Sequence, residues 1–142
     1  MGVIRNAAKA LIFRDGCLLA MRMRDEDGDF FILPGGGQEP GETLVDAVRR
    51  ECAEDIGADV AVHELCHIRE RVAEEPHRVE FTFRCTLLTE PGVGTLPDDG
   101  QVGLTWLPLA QLAHARFYPL GLRPLLGGAI PNGDPIYLGD LP

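Results

Sequence analysis

The chain has 142 residues and a mass of 15.5 kDa, so we expect a single domain that spans residues 1–142. Its 13 Lys and Arg residues against 22 Asp and Glu residues give a net charge of −9 at pH 7, so a nucleic-acid polymer, which needs clustered positive charge, is not an expected partner. The sequence lacks a signal peptide and the roughly 20 apolar residues of a membrane span, and its four cysteines form no C-x-x-C pair, so we expect a cytoplasmic protein without membrane contact.

The first half of the chain predicts strands joined by turns, followed by a glycine-rich loop. Asp15-Gly16 is a residue pair typical of a tight hairpin turn, and the residues before it are rich in small and β-branched side chains. The predicted elements are, in chain order, a strand over 3–14, its return strand over 17–23, a charged turn over 25–29, a short apolar strand over 30–33 and a loop over 34–41.

The main predicted helix begins after Thr43 and ends before Gly57. Thr43 is a typical N-cap residue, and Gly57 stands where a helix C-cap is expected. Between them, apolar side chains recur at spacings of three and four residues, which is the period of a helix with one buried face. These side chains are Val45, Val48, Cys52 and Ile56.

Strand patterns dominate the second half of the chain. The predicted elements are an extended segment over 58–72, a strand over 79–87, a loop over 89–101, a strand over 103–107, a short helix over 108–113 and a helix around 120–126. Many strands with few helices predict an α+β fold in which mixed sheets pack against helices.

Three acidic side chains of the main helix, Glu51, Glu54 and Asp55, lie at positions i, i+3 and i+4 and so share one face beside the apolar one. Like charges at this spacing destabilise a helix by roughly 0.2–0.5 kcal/mol per pair. A divalent cation removes that cost, since carboxylate oxygens are the ligands that Mg²⁺ and Mn²⁺ prefer. The alternative is a solvated acidic face in which Arg50 pairs with Glu54 and Asp46.

The glycine-rich loop and this helix together carry a longer motif. Gly36 is followed after five residues by Glu42 and after a further seven by Arg50. From there the sequence continues Arg50-Glu51-Cys52-Ala53-Glu54-Asp55-Ile56-Gly57-Ala58. This arrangement resembles the box of the Nudix hydrolase family, Gly-x5-Glu-x7-Arg-Glu-U-x-Glu-Glu-x-Gly-U, in which U is an apolar residue. Asp55 stands where the family pattern has its last Glu.

The resemblance implies a fold, a reaction and a cofactor. The implied fold is an α/β/α sandwich with a mixed β-sheet between helices. The implied reaction is the hydrolysis of a pyrophosphate bond in a nucleoside diphosphate linked to another moiety, which includes nucleotide sugars, ADP-ribose-like compounds, nucleoside triphosphates and dinucleoside polyphosphates. The implied cofactor is Mg²⁺ or Mn²⁺, and a homodimer is open because members of the family are often dimers.

The resemblance also assigns roles to residues of the motif. The implied metal ligands are Glu51, Glu54 and Asp55. The implied catalytic residues are Glu51, Glu54 and Arg50, with Glu51 as a ligand or as the base that activates water. The glycines expected to lie against the substrate are Gly35, Gly36 and Gly37, and the supporting residues are Glu42 and Glu39.

Further candidates lie outside the motif. Arg22 and Arg24 share one face of a predicted strand and are candidates for binding phosphate, with ordinary surface charge as the alternative. Some enzymes of the family take a further acidic residue from the loop before the last strand, where Asp98 and Asp99 stand.

Two other functions are open from the sequence. The shorter carboxylate of Asp55 is compatible with a module that binds nucleotides as a sensor without turning them over. His63-Glu64-Leu65-Cys66-His67 matches the H-E-x-x-H motif of zinc proteases, which requires both histidines on one face of a helix. The segment around it favours a strand, so a zinc site at this position is the more remote alternative.

Overall fold

The computed structural model describes residues 2–97, 99–126 and 136–142. The strands within these residues are β1 Ile4–Leu11, β2 Phe13–Arg14, β3 Cys17–Asp25, β4 Gly28–Ile32, β5 Gly35–Gly37, β6 Val60–Arg71, β7 His77–Leu87, β8 Gln101–Pro108, β9 Phe117–Tyr118 and β10 Ile136–Asp140. The helices are α1 Leu44–Ile56, α2 Arg123–Leu126 and two 3₁₀ helices at Leu109–His114 and Leu120–Leu122.

The strands form two sheets with mixed pairing. The first sheet has the order β10-β6-β7-β1-β5, in which β1 runs parallel to β7 and antiparallel to β5. The second sheet has the order β2-β3-β4-β9, with β8 also paired to β3. This confirms the predicted α+β class with mixed sheets, and it shows two sheets where the resemblance implied one.

Helices cover both faces of this arrangement. Neighbouring residues of β1 point to opposite faces, so Ala10 lies in one hydrophobic cluster and Leu11 in another. The cluster around Ala10 contains the buried side chains of α1, whereas the cluster around Leu11 contains Leu112 of a 3₁₀ helix and Leu126 of α2. The layered sandwich between helices is therefore confirmed.

The main helix has the caps that the sequence predicts. The Thr43 hydroxyl accepts a hydrogen bond from the Asp46 N–H at 3.1 Å, and Gly57 adopts a left-handed conformation with φ 60°. Val48, Cys52 and Ile56 are fully buried on the inner face of α1. The hairpin turn at Asp15-Gly16 is also confirmed, since both residues have positive φ.

Three strands were not predicted from the sequence. β5 consists of three glycines and was expected to be part of a loop, yet it pairs antiparallel with β1. The short strand β9 pairs with β4, and β10 pairs parallel with the edge strand β6. The glycines of β5 have a low strand propensity, so tertiary pairing decides the structure of that segment.

The cysteine side chains are thiols in the structure. All four cysteines are free, and Cys52, Cys66 and Cys85 are buried. Burial raises the pKa of the Cys52 thiol and, to about 12, that of Cys85, so neither side chain is a reactive thiolate at neutral pH. None of the helices in the described part of the chain is both long and apolar enough to span a bilayer.

Candidate functional site

Arg50 of α1 is the centre of a cluster of carboxylates. Its Nη2 and Nε donate to the two carboxylate oxygens of Glu42, at 2.7 and 3.1 Å. Its Nη1 donates to Glu51 at 3.0 Å and to Glu54 at 3.2 Å. Nη2 also donates to the Gly37 carbonyl at 2.9 Å, which attaches the cluster to β5. One guanidinium therefore gathers three carboxylates of the sequence motif and the glycine strand beside them.

The charges of this cluster are strongly coupled. The hydrogen bonds from Arg50, followed by the one from the Glu39 N–H, lower the pKa of Glu42 below its usual range. In turn, the hydrogen bonds to Glu42 and, to a smaller extent, to Glu51 raise the pKa of Arg50. Glu39 itself lies at the edge, since its carboxylate is 3.9 Å from Arg50 and its side chain is exposed. Glu42 thus joins the loop before α1 to Arg50, and the supporting role of Glu42 and Glu39 stays a prediction.

β5 packs closely against α1. The carboxylate of Glu51 occupies the space in which a side chain at Gly36 would lie. A Cβ placed on Gly36 would lie 2.5 Å from Oε1 of Glu51, which is closer than real Cβ contacts allow. Gly35 has φ 143° and its Cβ would overlap the Ala8 carbonyl oxygen, so that position also requires glycine. The glycines therefore let the Glu51 carboxylate lie directly against the backbone of β5.

Asp55 differs from the other carboxylates of the motif. The residue is only 1% exposed, and its Oδ2 accepts a hydrogen bond from the Gly35 N–H at 3.1 Å. The side chains of Glu51 and Glu54 are 12% and 26% exposed. Asp55 thus joins α1 to β5, whereas Glu51 and Glu54 face the opening of the cluster.

The donor chemistry of the cluster fits a hard divalent cation. Glu51 and Glu54 present partly exposed carboxylate oxygens next to each other, since both bond the same nitrogen of Arg50. Within residues 2–97, 99–126 and 136–142, no three His, Cys, Asp or Glu side chains already form a complete metal site. A cation that binds here therefore competes with Arg50 for the two carboxylates.

The other predicted substrate and acidic residues are placed differently. Arg22 and Arg24 lie on β3 in the second sheet, and both pair with Asp29, at 3.4 and 2.7 Å. Asp99 is exposed in the turn before β8, and Asp98 lies outside the described residues. A role of Arg22, Arg24 or Asp99 in substrate or metal binding stays a prediction.

The H-E-x-x-H segment forms part of β6, as the local sequence favours. His63 is exposed and shares a hydrogen bond with the Thr86 hydroxyl at 2.9 Å, whereas His67 is 1% exposed. Glu64 accepts a hydrogen bond from Arg84 at 2.6 Å. The two histidines therefore do not share one face of a helix, and the described residues give the zinc alternative no support.

Three residues near the site were not found from the sequence. Arg5 and Lys9 of β1 lie against the glycines of β5, and Gln101 donates to the Asp55 carbonyl at 2.9 Å. A signal for the first two was present, because Arg5, Ala7 and Lys9 alternate with Asn6 and Ala8 and so share one face of a strand.

Comparison with known proteins gives consistent matches. A family model described as NUDIX domain matches residues 3–126. The chain is 41% identical over 64 residues to the nucleoside triphosphatase NudI of Salmonella arizonae, a match that covers 43% of this chain and 45% of that protein. The matched segment thus spans less than half the length of these curated relatives.

Solved structures share the fold over a larger part of the chain. An ADP-ribose pyrophosphatase from Streptococcus suis has a TM-score of 0.69 at 21% identity, with 94% of this chain and 98% of that chain covered. A MutT NUDIX hydrolase from Burkholderia pseudomallei has a TM-score of 0.62 at 28% identity, with 76% and 85% covered. The arrangement of sheets and helices is the same in these molecules.

Substitution of Arg50 by Gln should destabilise the protein in a pH-dependent way. We expect the free energy of unfolding at pH 7 to fall by about 1–3 kcal/mol, because charge-assisted hydrogen bonds are lost and the carboxylates repel each other. The lowered pKa of Glu42 stabilises the folded state above the ordinary Glu pKa of about 4.3 and ceases to do so as the pH falls through its folded value.

The difference between wild type and Arg50→Gln should therefore shrink between pH 7 and pH 3, measured by urea unfolding. Arg49→Gln is the matched control, since Arg49 is exposed on the same helix and lies 3.9 Å from Asp46. An equal loss at both pH values, or an equal loss in the control, would contradict this role of Arg50.

Proposed function

The chain belongs to the NUDIX domain family, and on that premise we propose that it hydrolyses the pyrophosphate bond of a nucleoside diphosphate derivative. The products would be a monophosphate and a second phosphorylated compound. The observation that carries the proposal is the cluster in which Arg50 holds Glu42, Glu51 and Glu54 beside the glycines of β5. Two relatives, a nucleoside triphosphatase and an ADP-ribose pyrophosphatase, support two of the predicted substrate classes.

The charge of the protein supports a requirement for a divalent cation. A chain with a net charge of −9 repels phosphates unless a cation lies between them. Glu51 and Glu54 would hold Mg²⁺ or Mn²⁺, and Asp55 is the further predicted ligand from the next helical position. A bound cation of this kind polarises a phosphoryl oxygen and lowers the pKa of the attacking water.

Glu51, Arg50 and the backbone of β5 would then have separate roles in the reaction. Glu51 is placed to accept the proton of the attacking water, because its carboxylate is only partly buried and lies directly against Gly36. Arg50 positions Glu51 and Glu54, and through Glu42 it fixes the loop that leads into α1. The absence of side chains on β5 lets phosphate groups approach its backbone.

A second candidate function is a nucleotide sensor without turnover, and the geometry of Asp55 favours it. Its carboxylate is buried and accepts the Gly35 N–H, so it is less available to a cation than Glu51 and Glu54. A site with a weaker ligand set would bind nucleotides more readily than it would hydrolyse them.

The proposed partner is a small nucleotide rather than a nucleic-acid polymer, in agreement with the acidic composition. The homodimer and the cytoplasmic location stay predictions. The single domain over residues 1–142 likewise stays a proposal, of which the family model covers residues 3–126.

Hydrolysis and the role of Glu51 are tested together. The protein is incubated with Mg²⁺ or Mn²⁺ and a set of nucleotide sugars, ADP-ribose, nucleoside triphosphates and dinucleoside polyphosphates, and the products are separated by chromatography. We expect product from at least one compound, and a kcat lowered by about 10²–10⁴-fold in Glu51→Gln, as for the loss of a general base.

Asp46→Asn is the matched control for this experiment, because it removes an acidic side chain from the same helix outside the cluster. Circular dichroism and melting curves show whether each variant is folded. Tight binding without product from any compound would support the sensor and exclude hydrolysis of this set. Near-full activity of folded Glu51→Gln would show that the base lies elsewhere.

Metal binding is tested without turnover by thermal unfolding. A cation that binds only the folded state stabilises it by about 2.7 kcal/mol at 100 times its Kd, so Mg²⁺ or Mn²⁺ should raise the Tm. The gain should be clearly smaller in Glu54→Gln and unchanged in Asp46→Asn. Stabilisation by Zn²⁺ alone, abolished in His63→Ala, would instead favour a site on β6.

A further inference from the structure

Two cations of β1, Arg5 and Lys9, lie beside the site, and no carboxylate of the described residues pairs with either of them. Most arginines of the chain lie within 4.0 Å of a carboxylate oxygen, including Arg22, Arg24 and Arg50. In the part of the chain that the structure describes, no carboxylate oxygen comes that close to Arg5 or Lys9. Lys9 is also the only lysine in the sequence. An acidic protein therefore leaves two positive charges unpaired on one strand.

The side chains of Arg5 and Lys9 both pack over β5. Arg5 and Lys9 point to the same face of β1, since they are four residues apart on a strand. The register pairs Lys9 with Gly35 and Ala7 with Gly37. A Cβ on Gly37 would lie 2.6 Å from Nη2 of Arg5, and a Cβ on Gly35 would lie 2.8 Å from Cδ of Lys9. The two basic side chains therefore cover one face of β5, with Arg5 over Gly37 and Lys9 over Gly35.

The carboxylate cluster lies on the opposite side of the same strand. Gly36 alternates with its neighbours, and the position of its missing side chain is filled by the Glu51 carboxylate. β5 thus separates Glu51 on one face from Arg5 and Lys9 on the other. A phosphate chain that passes the edge of β5 would meet the carboxylates and their cation first and the two basic side chains next.

Open space adjoins both basic side chains. Lys9 lines a cavity of about 90 Å³ together with Thr82 and Tyr118, and Arg5 lines a groove of about 420 Å³ that also contains Gln38, Glu39 and Glu42. The carboxylate of Glu42 is held by Arg50 at 2.7 Å, and that of Glu39 lies 3.9 Å from the same guanidinium. Glu80 borders the smaller cavity, but its carboxylate is held by Arg69 at 3.0 Å. The charge of Lys9 therefore stays available to a ligand.

We propose that Arg5 and Lys9 bind a phosphate group of the substrate other than those held at the carboxylate cluster. Substrates with three or more phosphates, such as nucleoside triphosphates, would gain this contact, whereas a nucleoside diphosphate joined to a sugar would not. The inference rests on the proposed function for the reaction, but the binding of an anion by these two residues can be measured separately. Arg5 and Lys9 would thus determine substrate class.

The first test measures binding without turnover. Inorganic tripolyphosphate is titrated into the full chain in metal-free buffer of low ionic strength, by calorimetry, because salt screens such contacts. Lys9→Met keeps the aliphatic stem that packs on Gly35, and Arg5→Gln changes an exposed side chain, so both variants should fold. We expect the double variant Arg5→Gln/Lys9→Met to weaken tripolyphosphate binding by about tenfold or more. The single variant Lys9→Arg, which keeps the positive charge, should retain most of the wild-type binding.

The second test measures selectivity on the reaction. The double variant should raise the KM for a nucleoside triphosphate by about tenfold while the KM for ADP-ribose changes less than about twofold, with kcat little affected for both. Arg49→Gln removes one positive charge from the helix surface, as Arg5→Gln and Lys9→Met each do, and serves as the control for these single variants in both tests.

The outcomes separate this inference from the proposed function. Equal tripolyphosphate binding by wild type and the folded double variant would overturn the inference, whatever the hydrolysis assays show. A loss in Arg49→Gln equal to that in Arg5→Gln or in Lys9→Met would also overturn it, because the effect would then be one of net charge alone. Binding that depends on Arg5 and Lys9 in a protein that hydrolyses nothing would support the anion site and contradict the hydrolase.

Discussion

The close approach of β5 to β1 and to α1 is the constraint on which the site depends. A Cβ at Gly35 would overlap the Ala8 carbonyl oxygen, and a Cβ at Gly36 would collide with the Glu51 carboxylate. At Gly35 the obstacle is backbone, so only glycine fits there while β5 pairs with β1, whereas at Gly36 it is the end of the flexible Glu51 side chain. The site is consequently built on backbone, with acidic groups against one face of β5 and basic groups against the other.

Arg50 offsets the repulsion among the carboxylates that this packing brings together. The acidic stripe of α1 borders the buried face, so its charges repel each other where water is scarce. The guanidinium of Arg50 bonds Glu42, Glu51 and Glu54 and also the backbone of β5 at Gly37. Asp55 ties the same two elements together from the buried side through the Gly35 N–H. Because a cation must compete with Arg50, the cluster is organised before any metal binds.

Much of this arrangement could be predicted from the sequence because the relevant signals are local. The caps Thr43 and Gly57, the apolar period of α1 and the turn at Asp15-Gly16 each specify a backbone conformation without distant partners. The spacing of the box placed Glu42, Arg50 and the helix acids in one cluster, which the structure shows directly. The shared face of the helix acids followed from the geometry of one helix, whereas the placement of Glu42 and Arg50 beside them followed from the resemblance to the family motif.

The remaining features depend on tertiary partners. β5 reads as a loop because glycine has a low strand propensity, and its pairing with β1 overrides that. Arg24 lies opposite Asp29 in the register of β3 and β4, so the ion pair follows from a strand pairing that composition does not specify. The position of Arg5 and Lys9 depends in turn on β5 being a strand.

The most direct test of this account is the activity of Gly36→Ala. Gly36 has no positive φ, and the group that its Cβ would meet is the end of the flexible Glu51 side chain, so the variant should fold with little change in Tm. Displacement of the Glu51 carboxylate should nevertheless lower kcat on a nucleotide that wild type hydrolyses, by an amount approaching that of Glu51→Gln. Full activity of folded Gly36→Ala would contradict the claim that the contact between β5 and Glu51 positions the catalytic group.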